Sequence, residues 1–270
     1  MPTRWCAAPA RATTRGRAAH LVTTPRATDP YLDPRTGILR NNVDASTQAE
    51  LDRAEADLVG ARALQLVDAP IAGAYDLAHL CAIHRHLFAD VYPFAGELRT
   101  VNIYKLNDPG SHFFPIERFR TGAEFVFGEI RADNYLRGRD QTQFVRGLAR
   151  HFDAVNHLHP FREGNGRTQR VFFAQLAFDA GYVVDYTRIG PDENVQASRD
   201  GERALRALFE PCVSPSTRGH ALGRVISAAA GRHTTAGARP TTASSATDTY
   251  QAHKELDHPP ERPEGHEPDF

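Results

Sequence analysis

Two long helical patterns meet at residues 159–170, HPFREGNGRTQR, and the break between them constrains the fold more than any other feature of the chain. Upstream, Phe144, Leu148, Phe152 and Val155 recur at helical intervals from about Thr142. Pro160 ends that pattern, because the residue before a proline is pushed out of the helical region. Downstream, a helix starting near Gly166 buries Val171, Phe172, Leu176 and Ala177 and stops at Gly181. The stretch between them is therefore a loop that runs into the first turn of a helix.

The rest of the middle of the chain is also helical in pattern. Thr47 and Glu50 have capping-box spacing, and Leu51, Ala54, Leu58, Ala61 and Leu64 follow as an apolar stripe. Leu77, Leu80, Ile83, Leu87 and Phe88 form a second stripe before a turn at Tyr92, Pro93 and Gly96, and a third helix is predicted over 116–131. The one good strand is LRTVNIYK, 98–105, with a return at HFFP, 112–115. The expected fold is all-α, a helical bundle with one small β-hairpin and no internal repeat.

The ends read differently. Residues 1–28 carry five arginines and no acid, without periodicity, and are expected to be a disordered basic arm. From 214 to 270 the chain is rich in Ser, Thr, Ala, Gly and Pro and closes on an acidic, proline-rich tail, also expected to be disordered, with at most a short helix near LGRVISAAAG. The folded domain is then 29–213. A net charge of -1 gives no overall pull toward nucleic acid or a membrane surface, so neither is an expected partner. Cys6, Cys81 and Cys212 are too scattered for a disulfide framework or a metal site and suit a reducing cytoplasm, with export as an effector compatible with the same sequence.

The loop carries the chemistry. Gly164, Asn165 and Gly166 can present backbone N–H groups to an anion, and the helix that follows adds the partial positive charge of its N-terminus. Arg167 and Arg170 stand three apart on that helix, so both guanidinium groups can reach one polyphosphate. Glu163 would repel phosphate unless a Mg²⁺ bridged them, an ion that takes one or two carboxylates together with phosphate oxygens. His159 can accept a hydroxyl proton near neutral pH. These are parts for attacking a nucleotide phosphate with a hydroxyl.

Singly, each residue has an ordinary explanation: His159 as a helix cap, the glycines as a turn, the arginines as a solvated face, Phe161 as core. Jointly they do not, since nine such positions would coincide in a chain of this length less than about once in 10⁸. The combination H-P-F-x-E-G-N-G-R-x-x-R resembles the signature of the Fic family, whose members mostly transfer AMP from ATP to a hydroxyl side chain of a target protein. DPYLDPRTGILRN at 29–41 and VYPFAGELRTVNIYK at 91–105 resemble the corresponding Fic segments, with Phe94 where a tryptophan is common. The resemblance implies His159 as general base, Glu163 as the Mg²⁺ ligand, and Gly164, Asn165, Gly166, Arg167 and Arg170 as the ATP-phosphate site. It also implies that Thr100, Val101, Asn102, Ile103, Tyr104 and Lys105 form a flap that aligns the target as an added strand.

Other readings are a Fic-type transferase of UMP, phosphocholine or phosphate, a non-catalytic binding module, and a metal hydrolase built on His151, Asp153, His157 and His159, whose spacing is wrong for a helical ligand pair. Many Fic proteins are restrained by a glutamate, in a pattern of Ser or Thr, three residues, Glu, then Gly or Asn, that pairs with the second arginine. Only near misses occur here: Ser46 to Glu50 is followed by Leu51, and Ser198 to Glu202 by Arg203. A small antitoxin protein acting in trans is therefore the expected brake, as in the toxin-like branch of the family.

Overall fold

The computed structural model describes residues 29–105, 113–217, 229–230 and 250–252. The first helix, α1 (Gln48–Asp68), begins where the sequence places it: the Thr47 hydroxyl accepts from the Glu50 N–H while the Glu50 side chain reaches back to the cap backbone. Its buried face differs from the predicted stripe. Leu51, Glu55, Val59, Ala63 and Leu66 point inward, whereas Leu64 is 42% exposed. A carboxylate at position 55 hid this face from a reading by hydrophobicity.

Helix α2 (Leu77–Phe88) is capped by Asp76 and buries Leu80, Ile83, His84, Leu87 and Phe88, close to the predicted stripe. A short 3-10 turn over Ile116–Arg118 leads into α3 (Phe119–Ala132). Helix α4 (Gln141–Leu158) starts at an Asp140 cap and ends against Pro160. Helix α5 (Asn165–Asp179) is the centre of the bundle: its first turns are polar, and from Val171 on Phe172, Phe173, Ala174 and Leu176 are all buried. It packs on α2 and α4, and α1 packs on α2. Two further helices, α6 (Pro191–Asp200) and α7 (Glu202–Phe209), close the other side of α4.

The strands depart from the expected hairpin. Strand β1 is only Ile103–Lys105, and it pairs antiparallel with a distant segment, β4 (Tyr250–Ala252), with Ile103 opposite Ala252. Residues 113–115 form no strand. The Phe114 backbone is engaged by α4 and Arg99 instead: Phe114 N–H donates to His157 O at 2.9 Å, and Phe114 O accepts from the Arg99 guanidinium. A second, unforeseen ladder joins β2 (Tyr182–Val184) to β3 (Val213–Pro215).

The expected basic arm, 1–28, lies outside the described residues. So does most of 214–270, but the reading of that stretch as unstructured does not extend to β3, to Ala229 and Ala230, which sit buried in the core, or to β4. Among the described residues no helix is long and apolar enough to cross a membrane.

Candidate active site

The loop between α4 and α5 is held at both ends. Asn165 closes it on itself: its amide nitrogen donates to Phe161 O and its amide oxygen accepts from Phe161 N–H, both at 2.8 Å. Thr168 Oγ1 donates to Gly164 O at 2.9 Å. Gly164 has φ 79 and is tightly enclosed, since a Cβ there would lie 2.5 Å from the Phe88 ring. Only glycine meets both conditions.

His159 ends α4 in the left-handed region, φ 45 and ψ 64, a conformation that costs a non-glycine residue on the order of 1 kcal/mol and has to be held by its surroundings. Arg99 does much of the holding. Its backbone N–H donates to Pro160 O at 2.8 Å, and its guanidinium donates to the carbonyls of His159, Leu158, Val101 and Phe114. Burial lowers the Arg99 pKa to about 10, which leaves it charged at neutral pH. His159 is 3% exposed, and its ring stacks on Phe113 at 3.8 Å. Its Nδ1 lies 3.3 Å from the Asn156 carbonyl. A carbonyl can only accept, so Nδ1 carries the proton and Nε2 has the lone pair of a base.

Glu163 is 7% exposed. One of its carboxylate oxygens accepts from Gly164 N–H at 2.9 Å, and its backbone carbonyl accepts from His84 Nε2 at 2.9 Å. His84 Nδ1 in turn accepts from Gly96 N–H at 2.7 Å, so the ring is a neutral Nε2–H tautomer that ties the 89–97 turn to the loop. Burial pushes its pKa down to about 3. Phe161 and Phe88 sandwich the same ring, with centroids 3.9 and 4.7 Å away.

The two arginines diverge. Arg167 lies over the Phe88 ring at 4.8 Å and forms an ion pair with Glu55 of α1, which also accepts from the Tyr92 hydroxyl. Arg170 Nε donates to Ala229 O at 2.8 Å. Arg162, between the signature positions, pairs with Asp29 at 3.0 Å, both side chains 6% exposed, and so fastens residue 29 to the loop.

Of the flap residues, Thr100 bonds to the Tyr31 hydroxyl, Asn102 binds Glu117 and Ile116, Val101 gives its carbonyl to Arg99, and Ile103 is buried on Phe113. Tyr104 and Lys105 complete β1. The histidines of the hydrolase reading do not converge: His151 binds Asp133 at 2.7 Å, and His157 is exposed.

Sequence reasoning missed Arg99, His84 and Glu55. Arg99 stood inside a segment singled out for other reasons. His84 and Glu55 lie on helix faces that hydrophobicity alone assigns to core or solvent.

A model of the Fic/DOC family matches residues 74–177. Protein adenylyltransferase VbhT of Bartonella schoenbuchensis is 40% identical over 170 residues, which are 63% of this chain and 35% of that protein. The probable protein adenylyltransferase Fic of Salmonella typhimurium is 36% identical over 190 residues, 69% of this chain and 92% of that protein. The chain thus spans about a third of VbhT and nearly all of the Salmonella protein. Among solved structures, the N-terminal Fic domain of a Bartonella quintana effector with bound ADP superposes with a TM-score of 0.62 at 27% identity, covering 69% of this chain and 95% of that one.

Proposed function

The chain belongs to the Fic/DOC family, and from that premise we propose that it is a protein adenylyltransferase, an enzyme that moves AMP from ATP to a hydroxyl side chain of a target protein. The observation that carries the reading is the His159 tautomer: Nδ1 is engaged by Asn156 O, so Nε2 is the basic nitrogen, on a residue five positions before the Gly164–Gly166 turn. His159 Nε2 takes the proton of the target hydroxyl, the hydroxyl oxygen attacks the α-phosphorus of ATP, and pyrophosphate leaves. Backbone N–H groups of Gly164, Asn165 and Gly166 at the start of α5 stabilise the phosphate charge, with Arg167 and Arg170 beside them.

The residues present fit a Mg²⁺ ion. Glu163 offers one buried carboxylate at the start of α5, and an ion of this kind takes one or two protein carboxylates with phosphate oxygens completing its coordination. Glu163 would hold the ion, which would neutralise phosphate charge when bound. The relatives named adenylyltransferases and the ADP-bound neighbour support a nucleotide substrate.

The flap takes the target as an added strand. In support, β1 already accepts Tyr250–Ala252 in antiparallel register, so its edge is competent for strand addition and a target has to compete with that segment. The protein is toxin-like and cytoplasmic, and a separate small antitoxin restrains it by bringing a glutamate to Arg170. The support is the sequence, in which no Ser or Thr is followed four residues on by Glu and then Gly or Asn. Such a partner has to accommodate the Arg170 contact to Ala229.

Intact-mass spectrometry of the chain and of lysate proteins after incubation with Mg²⁺ and ATP tests the reaction. The expected result is addition of one AMP group by wild type and none by His159→Ala; equal modification by both refutes it. Co-expression with the neighbouring reading frame is expected to suppress both toxicity and modification, and unchanged modification refutes the brake in trans.

A further inference from the structure

The end of α4 that carries His159 is closed by residues on both sides of the flap. A helix leaves its last carbonyls without a partner inside the helix, and here each carbonyl from 155 to 160 is taken. Val155 O accepts from the His159 N–H at 3.2 Å, and Asn156 O lies 3.3 Å from the same residue's Nδ1. His157 O accepts from the Phe114 N–H at 2.9 Å, and Pro160 O from the Arg99 N–H at 2.8 Å. Leu158 O and His159 O both accept from the Arg99 guanidinium, at 3.3 and 2.8 Å. The same guanidinium donates to Val101 O at 2.8 Å and to Phe114 O. Arg99 directly precedes the flap residues and Phe114 follows them, so one side chain joins both sides of the flap to the backbone of the general base. Arg99 is 5% exposed, and among the described residues its side-chain hydrogen-bond partners are all carbonyl oxygens, with no carboxylate among them. Taking a cation out of water is costly unless its surroundings compensate, and here the compensation is four carbonyl dipoles, two of them at the negative end of α4. Only the planar fork of an arginine spans acceptors spread this way; a lysine presents the same charge from one point.

We infer that Arg99 is a positioning residue of the transferase: it makes the flap and the general base one unit, so that a strand added along the flap edge brings its hydroxyl to His159 in a fixed register. Its bonds to the loop end at Pro160, short of the Gly164–Gly166 turn, so its replacement disturbs the delivery of the hydroxyl and spares the binding of the nucleotide. The inference rests on the proposed reading of the chain as an adenylyltransferase whose flap takes the target as an added strand.

The test compares full-length wild type with Arg99→Lys, which keeps the charge, and Arg99→Gln, which keeps amide donors without a charge. ADP binding is measured by titration calorimetry with Mg²⁺ present, and thermal unfolding is recorded for each variant. The initial rate of AMP incorporation from α-³²P-labelled ATP into bacterial lysate protein is then followed over a range of ATP concentrations and expressed per ADP-binding site. For both variants the ADP dissociation constant and the KM for ATP are expected to stay within about threefold of wild type while kcat falls about 10²-fold, the loss that a displacement of about 1 Å at the reacting centre brings. A purely structural role for Arg99 lowers the fraction of protein that is folded and binds ADP, and leaves the rate per site unchanged. A wild-type rate per ADP-binding site in either folded variant, or ADP affinity lost in step with the rate, overturns the inference. Failure of both variants to fold assigns Arg99 to the fold and not to the reaction, and overturns it as well. Wild type that binds ADP but incorporates no AMP overturns the proposed function, and this inference with it.

Discussion

Lowering the pH from 7 to 5 is expected to remove about 2 kcal/mol of stability through His84 alone. In the folded protein the His84 Nε2–H donates to Glu163 O and Nδ1 accepts from Gly96 N–H, an arrangement open only to the neutral ring. Protonating Nδ1 would set two donors against each other in a buried site. Burial is the main reason its pKa falls to about 3, from an ordinary value of 6.5. The unfolded chain therefore binds a proton that the folded one refuses. The contribution is fully present above the unfolded value, is lost as the pH falls below about 6.5, and stops changing near the folded value of about 3. Integrating the unfolded titration from pH 7 to 5 gives about 2 kcal/mol, since the folded ring takes up almost no proton in that range. Burial also pushes His79 and His151 down, so the total slope for wild type is steeper, and a difference measurement is needed. Urea unfolding of wild type and His84→Gln at pH 7, 6 and 5 supplies it. Wild type is the more stable at pH 7, and its advantage is expected to shrink by about 2 kcal/mol by pH 5. An advantage that stays constant across those three pH values refutes the argument.

Two more substitutions test the loop. Gly164→Ala combines a left-handed backbone with a Cβ 2.5 Å from the Phe88 ring, and is expected to lower stability by about 2–4 kcal/mol and to abolish AMP transfer; a soluble variant with wild-type unfolding and activity contradicts it. Asp29→Ala removes the carboxylate that pairs with Arg162 where both side chains are 6% exposed, and is expected to cost about 3 kcal/mol in denaturant unfolding, whereas a loss below about 1 kcal/mol would show that residue 29 does not anchor the loop.

How much of this was legible beforehand varies with the physics of each part. The helices around the loop were, because Thr47 with Glu50, Pro160 and Gly181 are local signals that act within one turn. The Fic signature was too, being contiguous. The inward face of α1 was not, because a buried Glu55 satisfied by Arg167 and Tyr92 breaks the apolar periodicity, and its partners lie far away in sequence. The strand partner of β1 was hidden for the same reason. A three-residue strand carries almost no pattern, and the nearby HFFP has the composition of a strand, yet its backbone is engaged by Arg99 and His157. His84 shows the limit most plainly: on α2 it reads as one polar residue in an apolar stripe, and only the fold reveals that it joins Gly96 to Glu163.

Transfer of label from ATP carrying ³²P at the α position, compared with ATP carrying it at the γ position, tests the central claim most directly. Purified wild-type chain with Mg²⁺ and a bacterial lysate is expected to fix α-label but not γ-label in protein, and His159→Ala to fix neither, since removal of a positioned base costs about 10²- to 10⁴-fold. Label fixed from the γ position, or α-label fixed equally by His159→Ala, contradicts the account.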